Sequence, residues 1–224
     1  MESPSNSADP NAAAGRTLTA CMARIHQRGW CDGTGGNFSL VLSRNPLRLL
    51  MAPSGVDKGQ VAAADLIEVD GRGQVVSGHG RASAETRLHL TIVEACGAGA
   101  VLHTHSQSGT LLSSHYAPAG NSPEAVGQLA LRDLEMLKGL EGISTHATTV
   151  QLPVLVNDQD LEALSRRAGP LLPAAPHGLL VAGHGLYAWG RDLSMAMRHL
   201  EILEFLLEQH WRRLLLRSLT GQEP

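Results

Sequence analysis

Two hydrophobic periods divide this chain. Leu18, Met22 and Ile25 recur at helical spacing, which predicts an amphipathic helix capped by Thr17, running to about Arg28 and stopped by Gly29. Residues 38–43 and 47–52 read as strands turned across Asn45-Pro46, and residues 66–69 and 74–76 as a hairpin around Asp70-Gly71-Arg72-Gly73. Leu88, Ile92 and Ala95 predict a second helix, with Ser83 as its cap and Gly97 as its stop. An apolar run then enters His103-Thr104-His105. Residues 106–114 and 133–140 carry brief helical patterns, and the segment between 115 and 123 is irregular. Residues 151–156 predict a strand, and Asn157-Asp158 the cap of a helix through about Ala168. A buried strand at 178–182 is interrupted by Gly183-His184-Gly185 and resumes over 186–189. Asp192 caps a long helix to about Arg217, whose buried stripe is Leu193, Met197, Leu200, Leu203 and Leu207. The pattern predicts an α/β fold of the α+β type, a central and mostly antiparallel sheet flanked by helices. Residues 1–15 lack periodicity and read as a disordered tail, leaving 16–224 as one domain.

Composition narrows the partners. The chain of 224 residues is 43% hydrophobic but only 3% aromatic, so its core is aliphatic and rich in alanine. A net charge of −3 offers no electrostatic footprint for nucleic acid. No apolar run approaches a membrane span, and the N-terminus does not read as a signal peptide. Cys21, Cys31 and Cys96 have no metal-type pairing and suit reduced thiols in a cytoplasm. Histidine stands out, with 11 copies.

If residues 101–105 are extended, His103 and His105 point to one face and Thr104 to the other. Two imidazoles converging at a strand's end begin a zinc site that needs a third ligand; the alternative is polar residues where a buried strand surfaces. His184 is the best third candidate, because the glycines on either side let a metal and a substrate approach. The other histidines are poorer: His79 lies in a glycine loop, His89 on a helix, His199 and His210 in the last helix. His26, His146 and His177 read as surface or structural. Gly33-Thr34-Gly35-Gly36-Asn37-Phe38-Ser39 is either a cradle of backbone N–H groups for phosphate or a glycine-rich hairpin loop. Pro53-Ser54-Gly55 is a second small-residue loop.

Four of these pieces, in this order, resemble the class II aldolase/adducin-like family: the Gly33–Ser39 loop, Ser83-Ala84-Glu85, His103-Thr104-His105 and Gly183-His184-Gly185. The likeness runs from about Thr17 to Trp211. It implies a class II aldolase-like fold, with His103, His105 and His184 holding one Zn2+ per subunit. It also implies that Thr34, Asn37, Ser54, Gly55 and Ser83 hold a substrate phosphate. Ala84 stands where aldolases of the family often keep a second serine, and no fourth metal histidine is evident. Glu85 matches the acid/base of the aldolases. Glu135, within Glu135-Met136-Leu137-Lys138-Gly139, together with residues 184–190, matches a branch that dehydrates a 2-ketose 1-phosphate.

Dehydration takes a proton from C3 and hydroxide from C4. The C3 proton is acidic only when the C2 carbonyl is polarised, as an open three-histidine zinc does, and the leaving oxygen needs a proton from a carboxyl group. Glu135 is the favoured carrier of that proton and Glu85 the second candidate. The structural alternatives are a helix N-terminal acid for Glu85 and an ion pair with Lys138 for Glu135. Tyr187 and Trp189 either wall the site or pack the core. The resemblance thus predicts a cytoplasmic zinc lyase acting on a phosphorylated ketose, as a homotetramer without nucleic-acid or membrane partners. A sugar-phosphate aldolase or epimerase of the same fold is the alternative. A non-catalytic adducin-like module fits less well, because such members would lack the zinc histidines.

Overall fold

The computed structural model describes residues 10–120 and 122–221. Nine strands form one sheet: β1 (Asn37–Arg44), β2 (Leu47–Met51), β3 (Ile67–Asp70), β4 (Val75–Ser77), β5 (Ala100–Thr104), β6 (Val126–Arg132), β7 (Thr149–Leu155), β8 (Gly178–Val181) and β9 (Gly185–Gly190). Their order is β4-β3-β2-β1-β5-β9-β8-β7-β6, and every pair is antiparallel except β7 with β8. Helices α1 (Pro10–Gln27), α3 (Gln107–His115) and α5 (Leu193–Thr220) cover one face, and α2 (Thr86–Cys96) and α4 (Leu161–Ala168) the other. The chain is the α/β protein with a mostly antiparallel sheet that its pattern predicts.

Alternation along β5 separates the two cores. Leu102 belongs to the core that holds Leu18 and Met22 of α1 and Leu203 and Leu207 of α5, whereas Val101 belongs to the core that holds Leu88 and Ile92 of α2. Burying an aliphatic side chain of this size is worth ~1.5–3 kcal/mol, so either face holds β5 firmly at the sheet's centre.

Several sequence expectations are met and several shift. Gly29 and Gly97 stop their helices with φ of 68° and 62°, and the Asp192 side chain accepts from Met195 N as the α5 cap. The first helix begins at Pro10, because Ala12, Ala13 and Ala14 continue it; residues 10–15 are therefore helical, and 1–9 lie outside the described residues. Ser83 is not the cap of α2. Glu85 holds that position, and Ser83 Oγ instead accepts from Glu85 N at 3.2 Å. The cap of α4 is Asp160, which accepts from Glu162 N and Ala163 N, because Asp158 is already engaged with Asp160 N and Arg167. Strand β6 escapes the sequence pattern, since only Leu129 and Leu131 mark its inward face and apolar Val126 is exposed.

Candidate active site

The centre of the sheet delivers the histidines. The register of β5 sets Asn37 of β1 on one side of His103 and Tyr187 of β9 on the other. His105 follows one residue beyond β5 and donates its backbone N–H to Trp30 O at 2.8 Å. His184 sits in the turn between β8 and β9. Gly185 permits that turn, because a Cβ there would lie 2.0 Å from Thr104 O.

Three imidazoles meet at their Nε2 atoms. His103 Nε2 is 2.8 Å from His105 Nε2 and 3.3 Å from His184 Nε2. Glu85 Oε1 joins them, 3.0 Å from His184 Nε2 and 3.5 Å from His103 Nε2. His103 Nδ1 lies 3.0 Å from Leu186 O. A carbonyl only accepts, so Nδ1 carries the proton and Nε2 presents its lone pair to the cluster. That lone pair faces the Nε2 atoms of His105 and His184 and the Glu85 carboxylate, a donor set that suits a cation. Tetrahedral ligation at ~2.0–2.1 Å puts nitrogens ~3.3 Å apart, close to the spacing found. His103, His105, His184 and Glu85 thus form a group that can hold a metal ion.

The electrostatics agree. Burial drives the basicity of His103 down despite the adjacent Glu85 carboxylate, and does the same at His105, where His184 adds to it. Neutral imidazoles are the ligand form. Burial alone would raise the Glu85 carboxyl, but His103, His184 and the Asn37 amide overcome it and hold it below the usual carboxylate range. Tyr187 stacks on His103 with ring centroids 3.9 Å apart and thereby orients it. Trp189 is core.

Beside the cluster lies a cleft of about 150 Å3. Thr34, Asn37, Ser54, Gly55 and Ser83, the residues expected at a phosphate, all line it, together with Glu85 and His105. Asn37 links the two regions, since its Nδ2 donates to Glu85 Oε2. Sequence reading missed Lys58 in the same wall: a lysine in a polar loop looks exposed, yet it is 3% accessible.

Glu135 is not brought to the imidazoles. It stands exposed on a short 3-10 turn, Glu135–Gly139, paired with Lys138 and 3.5 Å from His146 Nδ1. Lys138 holds its carboxyl below the usual range. It lines a second cleft of about 1040 Å3, whose wall also includes Ser106 and Gln107, next in sequence to His105. In a second group, Glu141, His177 and His199, the His199 Nε2 already accepts from Glu141 N at 3.3 Å. The group's rings stack at 4.1 Å and His199 Nδ1 is spent on Trp189 O, whereas a metal lies in the ring plane of each ligand.

An antiparallel-sheet scaffold with three convergent imidazoles, a carboxylate and an anion-sized cleft defines an α/β enzyme whose site can hold a metal ion. Residues 16–211 match the Class II Aldolase and Adducin N-terminal domain, and the chain belongs to that family. It is 42% identical to the methylthioribulose-1-phosphate dehydratase of Acidiphilium cryptum over 91% of this chain and 92% of that one. It is 41% identical to the Yersinia enterocolitica protein of the same name over 92% and 94%. The crystal structure of L-fuculose-1-phosphate aldolase from Thermus thermophilus superposes with a TM-score of 0.69 at 24% identity, covering 95% of this chain and 100% of that chain, which shows the shared fold.

Proposed function

We propose that this chain dehydrates 5-methylthioribulose 1-phosphate to 2,3-diketo-5-methylthiopentyl 1-phosphate, a step of methionine salvage, with zinc as its metal. The observation that carries the reading is the adjacency of the His103–His105–His184–Glu85 cluster to the cleft of Thr34, Asn37, Ser54, Gly55 and Ser83, in a chain whose relatives carry that name. Phosphate held in the cleft leaves C2 and C3 of a ketose 1-phosphate beside the imidazoles. When bound, the metal supplies Lewis acidity to the C2 carbonyl.

The protein's own groups do the rest. Asn37 fixes the Glu85 carboxylate against His103 and His184, so the site keeps its shape before substrate arrives. Glu135 is assigned the proton transfer. Held ionised by Lys138, it starts as the acceptor for the C3 proton and returns that proton to the departing C4 oxygen. Its support is the likeness of Glu135-Met136-Leu137-Lys138-Gly139 to the dehydrating branch of the family. Glu85 is the alternative carrier.

The copies are assigned to a homotetramer in the cytoplasm. Exposed Phe205, Leu215, Leu216 and Leu219 of α5 support association, and the free thiols of Cys21, Cys31 and Cys96 suit a reducing compartment. No described helix is long and apolar enough to cross a membrane. The direct test is product analysis: incubation with methylthioribulose 1-phosphate should yield the diketone with loss of one water. Release of an aldehyde fragment would instead assign the aldolase reaction.

A further inference from the structure

Lys58 is an ammonium group buried at 3% exposure. Its Nζ donates to Thr34 O at 3.2 Å and to Val56 O at 2.9 Å, so it ties the glycine loop before β1 to the Ser54-Gly55-Val56 turn after β2. Among the described residues no carboxylate pairs with it, and one of its three N–H donors has no partner. Burial is the strongest influence on this ammonium and lowers its pKa, against the weaker pull of Cys31, Asp57 and Glu85. A buried charge without a counter-ion is costly, and the cost is recovered when an anion arrives.

The cleft that Lys58 lines needs such a charge. Thr34, Asn37, Ser54, Gly55 and Ser83 are neutral, and the remaining ionised wall residue is Glu85, a carboxylate. Without Lys58 that wall would repel a phosphate dianion. Resting on the phosphate reading of this cleft, we propose that Lys58 is the counter-charge for the substrate phosphate, contacting it through the free N–H while the other two hold both cradle loops in place. Lys58 is thus a binding residue that discriminates phosphorylated from unphosphorylated ketose.

The test compares kcat/KM for methylthioribulose 1-phosphate and for the same sugar without phosphate, using zinc-loaded wild type and Lys58→Met. In wild type the phosphorylated sugar should be strongly preferred. In Lys58→Met that preference should shrink by about 10- to 100-fold, the range for a hydrogen bond between charged groups, and the loss should fall on KM more than on kcat. Lys58→Arg, which restores the cation, should recover a large part of the preference. Lys58→Gln, neutral but still a donor, serves if the methionine variant folds poorly and should show the same shrinkage. Equal losses for both sugars would make Lys58 a loop staple alone and overturn the inference. Equal turnover of both sugars by wild type would instead overturn the phosphate reading, and the inference with it.

Discussion

Glu204 offers the most quantitative test of the scaffold behind the metal cluster. It is 2% exposed on α5, against the face of β5 opposite His103 and His105. Thr104 Oγ1 donates to its Oε1, and Oε2 has no partner among the described residues. Burial pushes its carboxyl from 4.5 up to about 7, although Ser106 and Thr104 pull the other way. Folded Glu204 thus keeps its proton to higher pH than the unfolded chain does. Its contribution to stability is fully present below pH 4.5 and is lost as pH rises to about 7. At about 1.36 kcal/mol per pH unit, that interval amounts to ~3 kcal/mol. Glu204→Gln resembles the protonated acid at every pH and should lack this slope. The measurement is urea unfolding of both proteins at matched metal content from pH 4 to pH 8. Near pH 4 the two should be similar; by pH 8 the variant should be more stable by up to ~3 kcal/mol, or ~6–12 °C in Tm for a chain of this size. Groups common to both proteins cancel in the difference. A constant difference across the range would refute the raised carboxyl.

Other outcomes follow from the site. His103→Ala, His105→Ala and His184→Ala should each lose most of the bound metal, measured by elemental analysis, while circular dichroism stays near wild type; full metal content in His184→Ala would remove that residue from the site. Glu135→Gln at wild-type zinc content should lower the rate of diketone formation by ~10²-fold. Near-normal rates there, beside an inactive Glu85→Gln, would move the proton transfer to Glu85. Removing the substrate phosphate should weaken binding by roughly 3 kcal/mol, read as an inhibition constant for the unphosphorylated sugar. Gly185→Ala drives a Cβ to 2.0 Å from Thr104 O, and should cost ~3 kcal/mol in thermal unfolding and lower metal content together.

Local chemistry was enough for much of this protein. Strand and helix periods, glycine stops at Gly29 and Gly97 and the Asp192 cap depend on neighbours within a few residues, and the chain displays them openly. The alternation of His103 and His105 about Thr104 is likewise a property of any extended chain. His184 was legible as a candidate third ligand because a histidine between glycines at a strand end has few packing uses, and its likeness to a known pattern did the rest; the structure brings it to the other two imidazoles.

Tertiary structure decided what depends on burial and on distance across the sheet. The meeting of β5 with the β8–β9 turn brings three Nε2 atoms together from positions about eighty residues apart, as does the approach of Glu85 from the start of α2. Lys58 and Glu204 look like ordinary surface charges in sequence, and become consequential only because loops and helices close over them. Glu135 shows the converse: a residue conspicuous in its motif stands outside the cluster, paired with the lysine one turn along. Sequence records which groups a chain carries and how neighbours share a face. Solvent exclusion and long-range pairing, which set the charge state and partners of those groups, exist only once the sheet has formed.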